Sequence, residues 1–109
     1  MPGKKKVAGP EDVAPVTIGN IRFEVPHWGK TIGLGQNGGH IKAVEVGSEE
    51  TLWIAQLYKI EYKENMEADK QDSFIISLEF DRQENRLIAI NDRGRRFAVN
   101  IFSHEVAEL

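Results

Sequence analysis

The apolar positions of this chain fall into short runs with a period of two, separated by polar or glycine-rich breaks. Ile21, Phe23 and Val25 alternate with Arg22 and Glu24, and Pro26 closes the run. Successive side chains of a strand point to opposite faces, so this alternation predicts a half-buried strand. His40 to Val46 alternates again and leads into a turn at Gly47-Ser48-Glu49-Glu50. Leu52 to Tyr62 is the longest apolar and aromatic run. Trp53, Ala55 and Leu57 share one parity there, while Tyr58, Ile60 and Tyr62 share the other. That switch predicts a bulge, or burial on both faces. Phe74, Ile76, Leu78 and Phe80 alternate with Ile75, Ser77 and Glu79. Trp53 is expected in the core against Phe74, Ile76 or Leu78, because an exposed tryptophan on so apolar a strand invites aggregation. Leu87–Ile90 and Phe97–Ile101 flank Asn91-Asp92-Arg93-Gly94-Arg95, which signals a β-hairpin.

The breaks are as informative as the runs. Residues 63–72 hold no strand pattern and predict a long loop or a single helical turn. Ser103 to Leu109 predicts a C-terminal helical turn capped by Ser103. No helical stretch is long enough for a parallel crossover, so the strands are expected to pair antiparallel. The predicted fold is mainly β: a small antiparallel meander, or a partly closed barrel, of six to seven strands. Residues 1–15 hold three of the chain's four prolines and no apolar period, and they read as a flexible, basic, proline-rich tail. Residues 16–109 then form a single β domain.

Composition narrows the chemistry. The chain has no cysteine, which excludes disulfides, thiolate metal sites and thiol catalysis. No apolar run approaches the ~18 residues that cross a bilayer, so no membrane partner is expected. The lysines at the N-terminus precede no hydrophobic region, so no signal peptide is read there and a cytoplasmic location follows by elimination. The formal net charge is −3, and without residues 1–15 the body is slightly more acidic still. That balance argues against bulk nucleic-acid binding. Lys4–Lys6 and an arginine-rich hairpin keep it as the weakest alternative.

Gly39-His-Ile-Lys-Ala-Val-Glu-Val-Gly-Ser-Glu-Glu-Thr-Leu-Trp53 resembles one repeat of the quinoprotein-type β-propellers. Gly39, Ile41, Ala43, Leu52 and Trp53 stand at the matching spacing, while Glu45 stands where the family has aspartate. Glu49 replaces the family's turn glycine. The resemblance implies strand–turn–strand geometry and nothing about a quinone. A propeller needs several four-stranded blades, which exceeds this length.

Gly33-Leu34-Gly35-Gln36-Asn37-Gly38 matches GxGxxG, but a strand pattern follows where a dinucleotide site needs a helix. The run reads as a connection that uses glycine for positive φ, with a loop offering N–H groups to an anion as its alternative. His27, Trp28 and Lys30 precede it, and Gln36, Asn37 and His40 lie in or after it. Together these six are the candidate ligand-binding residues, with Trp28 stacking on a ring and Lys30 holding an anion. The three histidines lack short ligand spacing, so no metal, catalytic residue or cofactor is assigned. Charge is segregated between an acidic stretch, 61–81, and an arginine-rich one, 82–96. Arg93, Arg95 and Arg96 are the candidate interaction residues, with pairing to the acidic stretch as the plainer expectation.

The expected function is a non-catalytic binding or protein-interaction module, with self-association into a homodimer as one form. The alternative is a small ligand-binding protein or enzyme built on the His27–His40 segment.

Overall fold

The computed structural model describes residues 10–109, apart from the side chains of residues 68 and 69. Eight strands form among these residues: β1 (Val16–Ile18), β2 (Ile21–Glu24), β3 (His40–Glu45), β4 (Thr51–Gln56), β5 (Ile75–Asp81), β6 (Arg86–Asn91), β7 (Arg96–Asn100) and β8 (Val106–Glu108). They make two four-stranded meanders, β1-β2-β3-β4 and β5-β6-β7-β8, antiparallel throughout. A 3₁₀ turn at Gly29–Ile32 and one helical turn, α1 (Ala68–Gln71), complete the elements. No helix among the described residues is long and apolar enough to cross a membrane.

Two parts of the predicted fold are corrected. The strands number eight rather than six to seven, because β1 and β8 are three-residue strands too short to show a period. The partly closed barrel does not form, since no ladder joins one sheet to the other, and the meander alternative holds within each sheet. The long excursion from Leu57 to Phe74 separates the two meanders and contributes no strand. Their inner faces meet instead across one core. Phe23, Ile41 and Ala43 come from the first sheet, and Leu78, Leu87, Ala89, Phe97 and Val99 from the second. Close packing of both faces removes apolar area from water without closing the edges.

Local patterns explain most of the register and also where it departs from expectation. In β6, Leu87, Ala89 and Asn91 are buried while Ile88 and Ile90 are half-buried, as a period of two requires. The hairpin turn is held by Asn91, whose Oδ1 accepts the Arg93 and Arg95 N–H groups. In β5 the register shifts between Ile75 and Ser77. The extra residue, Ile76, is turned out to solvent, so Ile75 and Leu78 reach the core despite opposite parity.

β4 ends at Gln56, so the parity switch after Leu57 reflects a chain leaving the ladder. Its bulge lies earlier: Ala43 faces Trp53 but Val44 faces Thr51, which leaves Leu52 unpaired. Trp53 is half-buried rather than fully buried. Its ring lies 5.8 Å from Phe23 and stacks at 4.1 Å on His104 of the β7–β8 turn, and it packs against the core cluster to which Leu78 belongs.

The expected C-terminal helical turn is instead β8, paired with β7 from Val99–Val106 to Phe97–Glu108. Asn100 turns the chain there by accepting the Phe102 and Ser103 N–H groups on Oδ1. A helix at 103–109 would leave the β7 edge unpaired, whereas β8 satisfies it.

Residues 1–9 of the expected tail lie outside the described residues. Residues 10–15 hold no regular element, yet Val13 packs against the core and the Glu11 carbonyl accepts a hydrogen bond from His27 Nε2 at 2.9 Å.

Candidate anion-binding cleft

The excursion between β4 and β5 is organised by two glutamines. Gln36 is 3 % exposed and spends its whole side chain on backbone groups. Its Nε2 donates to the Gly38 and Tyr58 carbonyls at 3.1 and 2.9 Å, and its Oε1 accepts the Ile60 N–H at 2.8 Å. Gln71, at the end of α1, closes the far end of the excursion. Its Oε1 accepts the Lys63 N–H at 2.6 Å, and its Nε2 donates to the Lys63, Met66 and Glu67 carbonyls. Backbone that leaves a sheet loses its ladder partners, and these amides replace them.

The glycine-rich run packs under the same excursion. Gly38 has φ +86°, and a Cβ there would lie 2.2 Å from the Ser73 carbonyl oxygen. Only glycine combines that backbone angle with that approach.

Between the excursion and the β6–β7 turn lies a cleft of about 330 Å³. Tyr58, Ser73 and Asn91 form its floor, and Ile60 and Met66 supply apolar wall. The Tyr58 hydroxyl donates to the Ser73 carbonyl at 2.7 Å, and Ser73 Oγ donates to Asp92 Oδ1 at 2.8 Å. The Tyr58 ring packs on Phe97 at 4.9 Å, tilted by 31°. Burial pushes its phenol up to about 12, so it stays a neutral donor across ordinary pH.

The rim is cationic. Lys59, Lys63 and Lys70 come from the excursion, and Arg93 and Arg95 from the hairpin turn. Among the described residues Glu61 is the one carboxylate in the lining, and it lies 3.5 Å from Lys59. Arg95 is engaged with Glu108 through two hydrogen bonds of 2.9 and 2.7 Å, and its guanidinium lies 5.2 Å from the Phe97 ring. Arg93 and Arg96 have no carboxylate partner among the described residues. Of the arginine-rich stretch, Arg86 pairs with Asp81 of the acidic one, while Arg95 pairs with Glu108 from β8.

The six candidate ligand residues separate into two groups. His27, Gln36 and His40 are buried. The His27 ring sits edge-on to Phe74 at 5.5 Å, and the Nδ1 atoms of His27 and His40 have no hydrogen-bond partner among the described residues. Burial, opposed by a hydrogen bond with Gln56, holds the His40 imidazole below its ordinary value of 6.5. Trp28, Lys30 and Asn37 reach the surface to differing degrees. Trp28 is 49 % exposed and sits edge-on to Phe74 at 5.4 Å. Lys30 Nζ lies 4.3 Å from the Tyr62 ring, and Asn37 Nδ2 donates to Asp72 Oδ2 at 3.3 Å. The Tyr62 hydroxyl also donates to Asp72, at 2.5 Å. Burial first, and then that Asp72 bond, pushes the Tyr62 phenol up to about 12. The segment thus serves as the clamp that docks the glycine run onto the excursion.

Sequence reasoning missed Lys59, Lys63 and Lys70 as site residues, because they sit in a segment whose carboxylates outnumber them. The one visible signal for Lys63 and Lys70 was position, in the stretch without a strand pattern, while Lys59 lay hidden in the Leu52–Tyr62 run.

The arrangement defines a two-sheet, all-β protein with a cationic cleft at one end of its core. No family model matches the chain, and no curated protein matches it.

Proposed function

We propose that this chain is a non-catalytic binding module whose cleft takes an anionic group, a carboxylate or a phosphate, of a partner molecule. One observation carries the reading. Lys59, Lys63, Lys70 and Arg93 converge on a single cleft in a chain whose net charge is −3. Among the described residues of the lining, these cations and Arg95 stand against one carboxylate, Glu61. Arginine offers a planar fork to carboxylate or phosphate, and lysine adds mobile point charges. Tyr58 and Ser73 already donate their hydroxyl protons within the protein, so the rim cations supply the contacts to the anion.

The test is titration of the labelled protein with inorganic phosphate and with an oligo-glutamate peptide at low salt. Backbone amides of Lys63, Lys70 and Arg93 should shift, and the affinity should fall as salt screens the rim. Lys63→Glu and Arg93→Glu should abolish the shifts without lowering the melting temperature. If neither anion moves these amides, the reading fails.

A second reading keeps the His27–His40 segment as a ligand site. The observation that favours it is Trp28, half exposed on the same 3₁₀ turn that presents Lys30. Ligand binding there would quench Trp28 fluorescence and would survive the cleft variants. The likeness of Gly39–Trp53 to a propeller repeat extends, in our reading, to hairpin geometry alone. β3 and β4 supply that hairpin, and four-stranded meanders are also what blades are made of.

A further inference from the structure

We propose that β4 is a self-association edge: two copies of this chain pair antiparallel through β4, with the two-fold axis at Ile54, to form one eight-stranded sheet.

The two sheets present four edges, β1, β4, β5 and β8. An open edge is a template for another strand, and proteins usually protect it by brevity, charge or a bulge. β1 and β8 have three residues each, and β8 ends on Glu108. β5 carries Glu79 and Asp81, is bulged at Ile76, and lies against β1. β4 has six residues, Thr51-Leu52-Trp53-Ile54-Ala55-Gln56, and no charge. Its bulge at Leu52 leaves Trp53 to Gln56 in regular pairing with β3.

The geometry of that pairing decides which groups are free. The Leu57 N–H bonds the Gly39 carbonyl at 2.7 Å. Strand alternation then directs Ala55 and Trp53 toward β3, and the N–H and C=O of Ile54 and Gln56 away from it. No described residue bonds to that outer side. The side chains of Leu52 and Ile54 are 47 % and 38 % exposed, so the edge is apolar as well as unpaired.

The occupant that fits is a second copy. With the axis at Ile54, Ile54 of one copy faces Ile54 of the other in a hydrogen-bonded pair. Gln56 then faces Leu52, and no charged residue lies within the ladder. The flanks are complementary. Glu50 stands just before β4 and Lys59 just after it. Antiparallel pairing brings each copy's Glu50 end beside the other's Lys59 end, where opposite charges attract.

Sedimentation equilibrium of the full chain tests this. The expected result is a reversible shift from one-chain to two-chain mass as concentration rises. Ile54→Lys sets like charge against like charge at the axis and should abolish the shift, whereas Ile54→Thr keeps an uncharged strand former and should retain it. Amide exchange supplies a readout that needs no variant: Ile54 and Gln56 should become slower to exchange as the wild-type concentration rises, while Trp53 and Ala55 stay unchanged. A wild-type protein that remains one chain at every concentration overturns the proposal. So does a folded Ile54→Lys variant that still dimerises, or a dimer whose Ile54 amide gains no protection.

Discussion

Gln36 Nε2 donates to the Tyr58 carbonyl at 2.9 Å, joining the glycine run to the start of the β4–β5 excursion across 22 residues of chain. The same side chain accepts the Ile60 N–H, so one buried amide fixes the cleft wall that carries Lys59. A polar group buried with every bond satisfied rigidifies what it touches, and losing one partner strands the others.

Gln36→Ala should therefore destabilise the fold by ~1–3 kcal/mol, the range for buried backbone groups left without partners. Chemical denaturation would measure it. Amide exchange should show the loss centred on Tyr58–Ile60 rather than on β6.

The glycines should divide sharply. Gly38→Ala places a methyl onto the Ser73 carbonyl at a positive φ, and should cost more than ~2 kcal/mol. Gly35 has open space around its Cα and no positive φ, so Gly35→Ala should leave the melting temperature unchanged. Equal effects of the two would mean that the run does not dock as described.

Phe23→Ala should cost ~3–5 kcal/mol, the range for a large aromatic removed from a core, since its side chain is 2 % exposed. Trp53→Ala should cost less, ~1–3 kcal/mol, because half-burial leaves less area to return to water. Urea unfolding of the two variants would order them, and a larger loss at Trp53 would contradict the geometry.

His40 gives the fold a pH dependence of known sign. Its imidazole is held below 6.5 by burial, so the unfolded chain binds more protons than the folded one as pH falls through 6.5. The stabilisation from a neutral His40 is complete above that value and declines toward the lower folded value. Lowering the pH from neutral to mildly acidic should lower the melting temperature, and His40→Gln should flatten that slope. Glu49 and Glu108 have carboxyls held low by Arg22 and Arg95, so their contributions are lost only at more acidic pH, below the ordinary 4.5.

The cationic rim was hidden by its local context. Lys63 and Lys70 lie among Glu61, Glu64, Glu67 and Asp72 in sequence, which makes the stretch read as acidic. In the fold the Gln71 amide wraps residues 63–67 into a turn, and Lys63 and Lys70 face Arg93 across the cleft. Arg95 was legible as an ion-pair former, but its partner was not. Glu108 becomes its neighbour only because β8 pairs with β7.

From the sequence alone one could read the period-two strands, the antiparallel pairing and the Asn91–Arg95 turn, together with the exclusion of disulfide and thiol chemistry. All of these depend on the geometry of a few adjacent residues or on composition. The tertiary structure alone decided that the sheets stack without closing, that Ile76 and Leu52 bulge out, that three-residue strands cap each sheet, and that Lys59, Lys63, Lys70 and Arg93 share one cleft. The reason is physical. A single inserted residue reverses the faces of everything beyond it, and a three-residue strand exists only because a neighbour completes its hydrogen bonds. Side chains far apart in the chain meet only where packing of the intervening backbone closes the loop between them.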